Sequence, residues 1–296
     1  MTELDLTLNA ELEPETQQSQ LVLMLKRFGR NRMAVVAAIF LILLVLAAIF
    51  CDHLTPYAYD AQNLLEMNQT PSKAHLLGTD NFGRDILTRI LRGARVSLIV
   101  SVMAVAMSTF AAVILGAVSG YYGGRVDNII MRFMDMLGSI PGMLLSMAVS
   151  AALGTGLVKT AFALAIASVA QLSRQLRSSI MLMKNSEYIE AARAFGGSDW
   201  EIITKHVIPN CLAPLIVQIS LSLGSTIMAI SGLSFLGLGV QPPTPEWGQM
   251  VAEGQSFIRQ FPHIIIFPGL AVALTMLAFN LLGDGLRDAM DPKMKR

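Results

Sequence analysis

Residues 33–51 run without one charged side chain, directly after the basic cluster Lys26, Arg27, Arg30 and Arg32. A helix of that length and character fits a bilayer core of about 30 Å and has no place in a small soluble domain. Five more apolar runs follow, near residues 96–120, 126–153, 157–176, 211–236 and 264–282. The pattern predicts an all-α integral membrane protein with six transmembrane helices. Composition agrees, because only 15% of residues are charged, against about 25% in soluble domains.

The four basic residues ahead of the first span place its start in the cytoplasm. Six crossings then return the C-terminus, with Lys293, Lys295 and Arg296, to the same side, so both termini are expected to be cytoplasmic. That topology puts fifteen of the 22 Lys and Arg residues inside and seven outside. Residues 1–24 read as a disordered acidic tail without a signal peptide. The first span occupies 25–52, an outer loop 53–95, a five-helix core 96–284, and a cytoplasmic tail 285–296. Arg84, Arg89, Arg92 and Arg95 interrupt the outer loop against the charge rule. They fit either an amphipathic helix along the outer membrane face or an extension of the second span.

Charge inside the membrane is scarce. Arg132 and Asp135 lie one turn apart in the third span and are placed to pair, as structural or gating groups, near Pro141. A single span over 126–153 is long, ~42 Å as a straight helix. Gly116 with Gly120, and Gly138 with Gly142, have the spacing of close helix contacts. The midplanes of the other spans hold no carboxylate, which argues against an ion-coupled carrier. Four scattered histidines and two cysteines have no metal-ligand spacing. Cys51 and Cys211 fall at opposite faces and are expected to be free thiols. Residues 154–160, GTGLVKT, lack the spacing of a phosphate loop, and no nucleophile–base pair is readable, so no catalytic residue is assigned. A net charge of +1 implies no nucleic acid partner.

Residues 184–210, KNSEYIEAARAFGGSDWEIITKHVIPN, are the exception to all this apolarity. They read as a short helix, a Gly196-Gly197 turn and a second short helix ending at Pro209. A connection between spans needs only a few residues, so a long, charged, folded one is a docking surface.

The segment resembles the EAA loop of ABC-importer membrane subunits, in Glu190-Ala191-Ala192, Gly196 after three residues, and Pro209 at its end. His206 and Ile208 replace the isoleucine and leucine of that pattern. Residues 75–98, 233–251 and 279–293 are similar to the dipeptide, oligopeptide and nickel permease branch. This resemblance implies the type I importer fold, with the first helix an N-terminal addition to a core of five. It implies a coupling helix, with Glu187, Glu190, Ala191, Ala192, Arg193, Gly196 and Pro209 as its residues, seated on a separate ATPase. Expected partners are two ATP-binding subunits carrying ATP and Mg, a second homologous permease, an extracytoplasmic substrate-binding protein and membrane lipid. Glu246 and Trp247 are candidate contacts for the binding protein. The chain itself is expected to bind no cofactor and to catalyse no reaction, to lie in a bacterial inner membrane, and to carry peptides, with nickel or another chelate as the alternative.

Overall fold

The computed structural model describes residues 20–290, with side chains from residue 24. Residues 1–19 of the expected acidic tail, and Lys293, Lys295 and Arg296, lie outside the described residues. Among the described residues, ten helices of eight or more residues carry the fold: α1 Gln20–Phe28, α2 Arg32–Ile49, α3 Ile86–Tyr122, α4 Gly124–Gly138, α5 Gly142–Leu153, α6 Leu157–Lys184, α7 Glu187–Ala194, α8 Leu212–Phe235, α9 Trp247–Gly254 and α10 His263–Met290. Among the described residues there is no strand, only an isolated bridge between Thr79 and Asp85. Helices satisfy their own backbone groups, which hydrocarbon requires. α2, α3, α6, α8 and α10 are each long and apolar enough to cross a membrane, and α4 with α5 makes a sixth, bent span. The end of the bundle holding Arg32, Tyr122, residues 184–210 and Met290 is called the near end below, and the opposite one the far end.

Helix starts are chemically marked. Asn31 accepts from the Ala34 amide at 3.2 Å and Asp85 from the Thr88 amide at 2.8 Å, each satisfying a donor that the first turn leaves free. Because Asp85 caps α3, residues 86–95 belong to that 37-residue helix. The extension reading therefore holds, and the interfacial-helix reading does not: Arg84 and Arg89 are buried against acidic partners, where a surface helix would present them to headgroups.

α3 and α6 form the most extensive helix pair in the bundle. A Cβ added to Gly116 or Gly120 would come within 3.0 Å of the Ser173 or Arg177 carbonyl oxygen, so both glycines serve the close approach their spacing predicts. Gly138 and Gly142 do not make such a seam. A Cβ added to Gly138 would meet the Arg174 guanidinium, and one added to Gly142 would meet no other helix nearer than 3.9 Å among the described residues.

The third span departs from the expected single helix. α4 and α5 meet at 86° across Ser139, Ile140 and Pro141. Pro141 has no N–H to donate and disfavours helical geometry at the residue before it, so the helix ends where the sequence places it. Asp135 also takes an unexpected partner. It accepts from Arg174 Nη1 of α6 at 3.2 Å, while Arg132 is exposed and makes no ion pair with it. One turn is close enough for Arg132 to pair with Asp135, but Arg174 approaches at the end of α4 and takes the contact.

At the C-terminal end the helix expected to stop at residue 282 continues to Met290. Gly285 abuts Ala34 and Phe28, so the last turns of α10 pack on the first helices instead of forming a tail. Cys51 and Cys211 are both buried and free, as their placement in the spans predicts.

Candidate functional site

The near end is built around residues 184–210. α7 ends in a Schellman turn: Gly197 N–H donates to Ala192 O at 3.1 Å and Gly196 N–H to Arg193 O at 2.9 Å. Gly196 has φ +82°, a region that a side chain makes costly. Ser198 then caps the returning arm, accepting from the Glu201 amide at 3.3 Å. This arm does not stop at Pro209. It continues through a π-helical stretch, Ile202–Val207, and a short turn, Ile208–Asn210, into α8. The wider π turn absorbs the missing N–H and the bulk of the Pro209 ring.

The hairpin is fastened to the spans on both arms. Tyr121, at the end of α3, donates its hydroxyl to Asp199 at 2.7 Å. The Arg193 guanidinium lies 5.4 Å and the Lys184 ammonium 5.7 Å from its ring centroid. Contact with the Tyr121 hydroxyl, the largest cause, raises the Arg193 pKa. Beneath them Ile189, Ile202, Ile203 and Val207 are buried with Tyr121, Leu176 and Ile180. Fully burying such side chains is worth about 1.5–3 kcal/mol each, so the hairpin is packed firmly on α3 and α6.

Arg193 thus sits on Tyr121, and no ion pair between it and Glu187 or Glu190 forms among the described residues. Glu187, Glu190 and Ala191 are exposed, Ala192 is half-buried, and Pro209 is exposed on the returning arm. Lys205 donates to Glu201 at 2.7 Å and holds that carboxyl below its ordinary pKa. Sequence reasoning missed the aromatic residues here. Phe195 is 93% and Trp200 75% exposed, at the tip on either side of the glycine turn. Two large exposed apolar rings beside a turn are of the kind that interfaces bury. Their types alone carried a signal, since a solvated connection has no use for them.

The far end holds a second constellation. Glu246 and Trp247, expected to meet a binding protein, are each fully buried, so both are corrected to structural roles. Glu246 caps α9, accepting from Gln249 N–H at 3.1 Å and from the Ser97 hydroxyl at 3.0 Å. Trp247 Nε1 donates to Ile90 O at 3.0 Å, and its ring lies against Gly93. The pair joins α9 to α3. Beside it Arg84 bonds Asp80 and Glu253, both at 2.6 Å, and Arg89 bonds Glu253 at 2.9 Å. His75 shares a 2.9 Å hydrogen bond with Asp85.

Burial, the largest cause, pushes the Glu246 pKa up, against the pull of its hydrogen bonds. Unfolded chain ionises first as pH rises past the ordinary glutamate value, near 4.3. The stabilising contribution is therefore complete below that value and is lost as pH climbs to the raised folded value. Glu246→Gln keeps the acceptor and removes the titration. The parent chain's thermal midpoint is expected to fall relative to the variant's across that interval. Parallel melting curves from pH 4 upward, with equal slopes for both proteins, would refute this.

Among the described residues no group of three His, Cys, Asp or Glu side chains is arranged to hold a metal ion.

Comparison with known proteins agrees with this architecture. Residues 112–296 match the family described as binding-protein-dependent transport system inner membrane component. Residues 19–71 match the N-terminal TM domain of oligopeptide transport permease C. The chain is 45% identical over 273 residues to the glutathione transport system permease protein GsiD of Pectobacterium atrosepticum, covering 91% of this chain and 90% of that one. It is likewise 45% identical to the GsiD of Shigella boydii, over 91% and 89% of the two chains. A solved structure of inward-facing conformations of the MetNI methionine ABC transporter is similar with a TM-score of 0.56 at 15% identity, covering 69% of this chain and 97% of that one. At that identity it bears on the fold alone. The relatives and the matched segments together show that the chain belongs to the binding-protein-dependent inner membrane components, the permease subunits of ABC importers, within their dipeptide, oligopeptide and nickel branch.

Proposed function

We propose that this chain forms half of the translocation path of an ATP-driven peptide importer and is moved through residues 184–210 by separate ATPase subunits. The observation that carries the proposal is the tip of the hairpin: Phe195 and Trp200 are exposed on a turn whose base is clasped by Tyr121. A patch that exposed is ready to dock, and a base that firmly held transmits what docks. In this reading the near end and both termini are cytoplasmic, in a bacterial inner membrane. Two ATP-binding subunits carry ATP and Mg, a second homologous permease completes the path, and a binding protein delivers cargo at the far end.

ATP-driven closure of the ATPase pair carries each hairpin as a rigid body, and α3 and α6 follow because they share its core. The path then opens toward the binding protein, and hydrolysis returns it. The relatives are named for glutathione, a short peptide, which favours peptide over nickel chelate as cargo.

Glu190→Lys tests the docking. Glu190 is exposed and makes no side-chain hydrogen bond within the chain's described residues, so charge reversal leaves the fold intact and acts on the partner. Affinity purification of the tagged chain is expected to recover at least about tenfold less ATPase subunit, as removal of a charged interface contact does. ATP-dependent uptake into liposomes should fall with it. Uptake by this chain reconstituted without any ATPase subunit would overturn the proposal.

A further inference from the structure

α6 is the least apolar of the long helices, and its polar residues sit at the wrong depth for a lipid-facing surface. Its 28 residues centre near Gln171, and Gln171, Arg174 and Gln175 are all exposed. α8, 24 residues long, centres near Ser222. Gln175 of α6 and Gln218 of α8 line one cleft of about 130 Å³, and Gln218 Nε2 lies 3.5 Å from Ser222 Oγ. Exposed amides and a guanidinium within the length of a spanning helix face a wet cavity or a protein partner, not hydrocarbon.

Among the described residues two ion pairs join α4 to α6, and their geometries differ. Arg177 grips Asp127 through two bonds of 2.5 Å, with side chains 28% and 12% exposed. Ser119 also donates to Asp127. That pair is a closed structural clamp. Arg174 gives Asp135 one bond of 3.2 Å, with side chains 42% and 66% exposed. This second pair stands open. The Arg174 guanidinium also lies over Gly138, at the carbonyl end of α4 where the span breaks. The carbonyl end of the broken helix favours the guanidinium lying over it, and the donors that guanidinium has to spare are suited to an anionic group.

We infer that Gln171, Arg174, Gln175, Gln218 and Ser222 form the wall of the water-filled path, and that the Arg174–Asp135 pair opens to take the charged ends of a zwitterionic peptide. The guanidinium receives the carboxylate and Asp135 the ammonium group. No bond other than these hydrogen-bonded ion pairs is made or broken. The inference rests on the peptide-importer reading above and names the contact point within it.

Two measurements on the fully assembled complex in liposomes test it. In the first, Gln175→Cys, Ser222→Cys and, on α10, Leu274→Cys are exposed to a charged, membrane-impermeant thiol reagent; native Cys51 and Cys211 are buried. Leu274 is 47% exposed on an apolar face. Modification at 175 and 222, with none at 274, is the expected result, since a thiolate forms in water and not in hydrocarbon. No modification at 175 and 222 would mean a dry contact with a partner and overturns the path wall. In the second, uptake of radiolabelled glutathione and of an alanine dipeptide is compared with binding-protein-stimulated ATP hydrolysis. Arg174→Gln is expected to lower uptake at least about tenfold, with hydrolysis held within about twofold, and Arg174→Lys to restore part of the uptake. Unchanged uptake, or equal loss of uptake and hydrolysis, overturns the role of the pair. Should the parent complex take up neither probe, the peptide-importer reading fails instead, and the labelling still decides the wall.

Discussion

Glu253→Leu is expected to cost about 3–5 kcal/mol, the usual penalty for stripping one partner from buried charges. Glu253 accepts from Arg84 at 2.6 Å and from Arg89 at 2.9 Å. Without it, two guanidiniums that are 4% and 1% exposed share the single carboxylate of Asp80. Arg89 suffers most. Its remaining contact is 3.5 Å to Asp80, and its Nε and Nη1 make no other hydrogen bond. The site joins the turn before α3 to α9, so its loss should free the far end first. Thermal unfolding in detergent, with limited proteolysis mapped to residues 52–85 and 247–262, would register both effects. Glu253→Gln, which keeps an acceptor, should fall between the parent and Glu253→Leu. A change under about 0.5 kcal/mol for Glu253→Leu, the range of ordinary surface substitutions, would show that these charges are solvated and not locked.

The same network explains which parts of the fold could be read from sequence. Spans are legible because hydrocarbon imposes a one-dimensional rule: length and apolarity suffice to find a helix. What those helices meet is a long-range matter. Arg89 and Glu253 are separated by 164 residues, Arg177 and Asp127 by 50, Arg174 and Asp135 by 39. Local spacing offered Arg132 to Asp135, and the bundle supplied a different arginine. The glycine pairs make the same point. Gly116–Gly120 and Gly138–Gly142 have identical spacing, but only the first lies where an added Cβ would come within 3.0 Å of a neighbouring backbone. Pro141 was visible, whereas the 86° angle it permits depends on what α4 and α5 pack against.

At the hairpin the turn itself was legible, because Gly196-Gly197 and Ser198 carry local capping chemistry. Its attachment was not. Tyr121 is 78 residues from Asp199 and belongs to a span whose sequence end gives no sign of a clasp. Glu246 and Trp247 show the converse error. A polar, aromatic segment in an outer loop reads as surface, but a buried N-cap carboxylate and an indole donor are equally at home inside, provided each finds its hydrogen bond.

The largest functional effect is expected from Phe195→Ser combined with Trp200→Ser. Both rings are exposed, and neither belongs to the buried cluster beneath the hairpin, so the isolated chain should keep its melting temperature to within the equivalent of about 0.5 kcal/mol. If they fill pockets on an ATPase subunit, each is a contact of the aromatic kind that costs about 2 kcal/mol or more when truncated. Together, at about 4 kcal/mol, they should lower ATPase affinity by nearly a thousandfold, since about 1.4 kcal/mol is a factor of ten. Titration of detergent-solubilised chain with purified ATPase subunits measures this directly, and ATP-dependent uptake should vanish in parallel. The unchanged melt separates loss of docking from loss of fold. Undiminished affinity with both rings gone would place the contact elsewhere on the near end, and the hairpin would then be a connection between spans with no part in carrying force.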